Sequence, residues 1–194
     1  MLCGPMKKLL SIFAATICFG AISQASQAQL IVAGSGPQQI CYQKALLDNP
    51  GSKAAIKTCT EGLERALSRK DRAATYINRG ILYMRKGDYV KARADYEEAI
   101  QTHSGLPEAY MNYGAVLIYM DDFDGAIKAL NTAIEDLPPT QLHQALFNRA
   151  IAYDRQDKFR EAYLDLKHAL ELRPDWDEAK NAISRYAVKS KSAG

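Results

Sequence analysis

Few residues in this chain have the types that carry chemistry, and their spacing decides what they could do. His103, His143 and His168 are widely separated. None has a second histidine or a cysteine at metal-ligand spacing, so each is expected on a solvated surface. Asp121, Asp122 and Asp124 bring three carboxylates together, as a cation site would. No glycine and glutamate follow at the positions a calcium loop needs, and a solvated turn is expected instead. Gly34-Ser35-Gly36 lacks the lysine of a phosphate loop, and no strand precedes it. The nucleophile-elbow and zinc-protease patterns are missing too. The expectation is no catalytic residue, no metal and no cofactor. That leaves Cys41 and Cys59, placed symmetrically about Pro50.

The elements that position these residues show themselves by what recurs. A small residue returns at Gly80, Gly114 and Ala150, spaced 34 and then 36 residues. The same spacings relate Ala92, Ala126 and Ala162, and again Ala99, Ala133 and Ala169. A turn aromatic returns at Tyr89, Phe123 and Phe159. Proline closes two of the units, at Pro138 and Pro174, with Ser104 in its place in the first. The units are residues 73–106, 107–140 and 143–176. Large residues recur before the turn, at Tyr76, Tyr110 and Leu146 and about two turns later at Tyr83, Leu117 and Tyr153. Each unit reads as two antiparallel helices. The small residues let neighbouring helices approach the near end of the roughly 8–10 Å packing range. One pair cannot bury its own apolar face, so each unit depends on the next.

In period, small-residue positions, turn aromatic and closing proline, this pattern resembles the tetratricopeptide repeat, most strongly over residues 73–174. The resemblance implies an all-α fold: an α-solenoid of antiparallel helix pairs, a superhelix with a C-terminal capping helix. It implies a concave groove lined by the first helix of each pair. The inward side chains would be Ile77, Ile81, Met84 and Arg85, then Met111, Ala115, Ile118 and Tyr119, then Phe147, Ile151, Asp154 and Arg155. The implied role is non-catalytic binding of a protein or peptide, an apolar peptide or the face of a partner helix, mainly through apolar burial, with Arg85 and Arg155 selecting acidic neighbours. Arg79 and Arg149 depart from the family pattern, since they hold usually apolar places, and the Pro138–Gln141 stretch adds two residues. The carboxylate clamp of some members is matched at Asn112 but not elsewhere: Ile77 and Ile81 hold its places in the first unit, and Gln144 and Asn148 replace its basic pair, so no such clamp is expected. Asn78, Asn112 and Asn148 recur in all three units, so a structural role is expected for them.

The flanks read as weaker versions of the same design. Residues 38–70 form a degenerate helical hairpin, its second helix running from Lys53 to Ser68 around an Asn49-Pro50-Gly51 turn. Cys59, Leu63 and Ala66 would take the places of alanine, large residue and alanine in the later copies. Cys41 and Cys59 would face each other across the hairpin, where a disulfide is reasonable if the Cα atoms approach within about 7 Å. The alternative is two small buried thiols. Residues 175–188 form the capping helix, with Asp175 as N-cap and Glu178 completing a capping box. Residues 189–194 are expected to fray.

Lys7, Lys8, the uncharged run from Leu9 to Ile22 and the small residues after it describe a secretory signal peptide, residues 1–28, cut after Ala28 or else Ala25. The apolar run is short of the roughly 20 residues that span a bilayer, so no membrane span is expected. Residues 29–37 would be a loose leader. With 25 basic and 22 acidic residues, the chain carries a net charge of +3. Losing the two signal lysines leaves about +1, too little for a nucleic-acid partner held through phosphates. The expected protein is a periplasmic or secreted adaptor that binds a protein or peptide ligand. The rival is a structural or assembly role through weak self-association of the solenoid.

Overall fold

The computed structural model describes residues 37–47 and 52–191. The expected signal peptide, the Gly34-Ser35-Gly36 stretch, the Asn49-Pro50-Gly51 turn and residues 192–194 lie outside the described residues. Nine helices and no strand occur among the described residues. They are α1 (Pro37–Leu47), α2 (Lys53–Leu63), α3 (Arg69–Arg85), α4 (Tyr89–Thr102), α5 (Pro107–Tyr119), α6 (Phe123–Asp136), α7 (Pro139–Arg155), α8 (Phe159–Leu172) and α9 (Asp177–Lys191). Consecutive helices pair, and α1, α3, α5 and α7 also touch in sequence, as a solenoid requires.

Side-chain size sets the seam within each pair. A Cβ built on Gly80 would fall 2.5 Å from the Tyr96 ring, and one on Gly114 would fall 2.5 Å from Leu130 Cγ. Ala92, Ala126 and Ala162 are fully buried, as are Ala99, Ala133 and Ala169. The turns between paired helices demand a left-handed residue at one equivalent place, held by Gly87, Asp121 and Asp157. Aspartate tolerates that conformation better than most residues. Asp88 and Asp122 then cap the following helices, accepting from the Lys91 and Gly125 N–H groups. The Asp121–Asp124 cluster is thus turn and cap, as expected of it.

Several boundaries differ from the sequence reading. Helix α2 stops at Leu63 because Ser68 opens α3: its hydroxyl accepts from Asp71 N–H and donates to the Asp71 carboxylate. Arg72 covers the end of α2, donating to the Leu63 and Arg65 carbonyls. The buried triad of α2 is Ala55, Cys59 and Gly62. It corresponds to Ala92, Tyr96 and Ala99 in α4, so Leu63 and Ala66 are not the equivalents and Cys59 takes a large-residue place. At that place Cys59 bonds Cys41, with Cα atoms 4.7 Å apart, and covalent linkage substitutes for the bulk of Tyr96. The Pro138–Gln141 stretch is no insertion loop, because Pro139 begins α7, where its fixed φ and missing N–H suit the first turn. Helix α9 starts at Asp177 and runs to Lys191, so Asp175 is not its N-cap and residues 189–191 remain helical.

His143 corrects another expectation. It lies on α7 and is buried, its ring edge-on to Trp176 at 5.1 Å. The earlier start of α7 turns this position inward. Burial holds the imidazole below its ordinary pKa, the Arg173 guanidinium adds to the effect, and a hydrogen bond with the Pro139 backbone opposes it. The folded chain therefore favours neutral His143, while the unfolded chain takes up its proton near the ordinary value of about 6.5. Stability from this group is present above that value and is lost as pH falls towards the lower folded pKa. The Tm of the wild type is expected to drop more between pH 7 and pH 5 than that of His143→Phe. Parallel thermal melts across that range check it, and equal slopes would remove the claim.

Two buried ion pairs explain the arginines at usually apolar places. Arg79 grips Asp95 through Nε (2.9 Å) and Nη2 (2.7 Å), and its Nη1 reaches back to Thr60 Oγ1 at 3.0 Å. Arg149 does the same with Asp165 (2.7 Å twice) and reaches Asn131 Oδ1 at 2.8 Å. The middle unit has Tyr113 and Ala129 at these two positions. Tyr113 still reaches back, donating to Glu97 Oε1 at 2.9 Å.

Candidate functional site

The expected groove residues lie on α3, α5 and α7, but the helices do not expose them equally. Ile77 and Met111 are fully buried. Ile77 packs in one cluster with Ala109 and Val116 of the following unit, and Met111 packs with Ala145 and Ala152. Neither offers surface to a ligand, because the next pair covers it. Ile81, Ala115, Ile118 and Phe147 are nearly buried. Met84, Arg85, Tyr119, Ile151, Asp154 and Arg155 remain partly exposed. Apart from Ile151, the accessible set falls at the C-terminal ends of the three helices.

The C-terminal helix takes part of the third unit. Trp176, just before α9, lies 4.6 Å from the Phe147 ring centre. Tyr186 on α9 donates to Asp154 Oδ1, and Arg185 approaches the other oxygen at 3.8 Å. Burial and the Asp154 hydrogen bond push the Tyr186 phenol well above its usual pKa. Asp154 is thereby committed within the chain. Arg155 stands over the Phe123 ring at 5.9 Å.

The first two units keep a different character. Arg85 is half-buried and has no hydrogen bond or ion pair among the described residues. Burial lowers its guanidinium pKa, and the nearby Tyr96 only partly offsets this. Tyr119 stacks on Tyr89 with ring centres 4.8 Å apart, and burial pushes its phenol up to about 12. Asn78, Asn112 and Asn148 form a buried row, one to a unit. The Nδ2 donors of Asn78 and Asn112 have no partner among the described residues. Sequence spacing had placed them in a row, but burial without a partner is visible only in three dimensions. No group of three or more metal-ligating side chains occurs among the described residues.

Comparison with known proteins agrees with this architecture. Two family models of the tetratricopeptide repeat match residues 71–138 and 143–175. Sperm-associated antigen 1 of Rattus norvegicus is 35% identical over 105 residues, covering 51% of this chain and 12% of that protein. The mouse counterpart is 36% identical over 96 residues, and the chain spans only 10% of its length. Among solved structures, MamA (residues 41 to the end) from Desulfovibrio magneticus RS-1 superposes with a TM-score of 0.66 at 17% identity, covering 82% of this chain and 88% of that one. The first TPR of Spaghetti (RPAP3), bound to the HSP90 peptide SRMEEVD, gives 0.57 at 23% identity, covering 68% and 99%. With matches spanning three successive units and small residues set into every seam, the chain belongs to the tetratricopeptide repeat family.

Proposed function

We propose that this chain is a non-catalytic adaptor, exported to the periplasm or secreted, that binds an extended acidic segment of another protein along the inner ends of α3, α5 and α7. The observation that carries it is Arg85: a half-buried guanidinium without a carboxylate partner among the described residues, desolvated at a cost that an anionic ligand would offset. About two turns back on α3 and α5 are the buried amide donors of Asn78 and Asn112, without a partner among the described residues, which backbone carbonyls of a ligand would satisfy once groove side chains give way. Relatives of this fold have been solved with acidic peptides seated on them, one of them RPAP3 with HSP70 peptide SGPTIEEVD. Export rests on the basic start and short apolar run, and the Cys41–Cys59 bond suits an oxidising compartment.

Selection from a displayed random-peptide library tests this directly. Wild-type protein is expected to enrich sequences with an acidic residue at one fixed position. Arg85→Glu should lose that preference, and Asn112→Ala should weaken the selected peptides about tenfold. No enrichment, or the same acidic preference in Arg85→Glu, would exclude the groove as the ligand site.

A further inference from the structure

The middle unit breaks the polar pattern of its neighbours, and the break leaves space. In the flanking units one place is filled by a guanidinium: Arg79 on Asp95, and Arg149 on Asp165. The middle unit has Tyr113 in place of the arginine and Ala129 in place of the aspartate. A cleft of about 390 Å³ opens there, lined among others by Glu97, Tyr110, Tyr113, Lys128, Ala129 and Thr132. Tyr110, Tyr113 and Leu117 share one face of α5, separate from the inward row that includes Ile118 and Tyr119, so the cleft is distinct from the groove.

We infer that this cleft receives an arginine side chain from a partner protein. The flanking units serve as the template. Arg79 lies over the Tyr76 ring at 5.6 Å, and Tyr110 holds the Tyr76 position in the middle unit. Arg149 reaches back to Asn131, and Glu97 holds the Asn131 position, with a carboxylate where Asn131 has an amide. The recognition surfaces around a guanidinium, an aromatic face and an acceptor on the preceding helix, are thus kept while the resident arginine is missing. The carboxylates of Glu97 and Asp122 outnumber the single Lys128 ammonium on the lining, which favours a cation. Both bonds that Glu97 makes, from Arg93 and from Tyr113, fall on Oε1. The Arg93 pair is open to water and therefore readily exchanged. A planar guanidinium can stack on Tyr110 and bond Glu97 at once, which a lysine ammonium cannot do as well.

Titration of the isotope-labelled full chain with N-acetyl-arginine amide tests the proposal by NMR. Saturable shifts centred on Tyr110, Tyr113 and Thr132 are expected, with an affinity of about millimolar order for a single side chain. N-acetyl-citrulline amide, which keeps the shape and loses the charge, should bind about fivefold more weakly or worse, as should the Glu97→Gln variant. The double variant Tyr113→Arg with Ala129→Asp rebuilds the internal pair and should abolish the shifts. Glu97→Gln carries the test if that double variant does not fold. Absence of saturable shifts, equal binding of the citrulline compound, or undiminished binding by either variant would overturn the assignment.

Discussion

Asp165→Ala is expected to destabilise the chain by about 3 kcal/mol, among the largest effects of any single surface-distant substitution here. The carboxylate takes both Arg149 bonds at 2.7 Å, and the two side chains are only 20% and 10% exposed. Removing the aspartate leaves a guanidinium held away from water with Asn131 as its remaining polar partner. The fifth of Arg149 that stays in water places the cost at the low end of the range for buried pairs. Replacing both members, as Arg149→Met with Asp165→Leu, should be close to neutral, because no charge is stranded. Urea denaturation of the two variants separates the cases. Equal loss in both would mean that packing, and not charge pairing, governs the site.

Breaking the disulfide should rank beside it. Cys41→Ala with Cys59→Ala frees a loop closed over a sequence separation of 18 and should cost about 3 kcal/mol in the chain-entropy description. The loss should be local in origin, because Cys59 occupies the place that Tyr96 and Leu130 fill by bulk, and two alanines leave that place underpacked. Hydrogen exchange followed by mass spectrometry should show α1 and α2 losing protection first, with α7 and α8 nearly unchanged. Uniform loss across all helices would mean that the units do not act as separable neighbours.

Much of the fold was legible because its signals are periodic. Gly80, Gly114 and Ala150 mark the seams: a Cβ at Gly80 or Gly114 would meet the facing helix, and Ala150 is buried. Symmetry of Cys41 and Cys59 about Pro50 made a disulfide reasonable, with two buried thiols as the alternative, and the structure has the bond. The hairpin's internal alignment was less legible, since α2 is short and the repeat-to-repeat offset there is 37 rather than 34 residues. Ser68 and Asp71 form a capping pair that marks the true start of α3, and Pro139 marks the start of α7. Both signals were local and were overridden by the longer period. The groove was the least legible part. Periodicity tells which way a residue points, but not how closely the next unit covers it, which is why Ile77 and Met111 fall out of the accessible set. The Arg79 and Arg149 departures have their reason across the seam, in Asp95 and Asp165 sixteen residues on.

Three backward-reaching side chains at equivalent places share a mechanical meaning. Arg79, Tyr113 and Arg149 each fasten one pair to the pair before it, at equivalent points. The outer two are anchored at their roots by a carboxylate, and the central one hangs on a phenol alone. Tension along the superhelix would therefore not spread evenly. The joint between α4 and α5 lacks the charge-anchored strap of the other two, so a change of pitch in the coil is expected to fall there first.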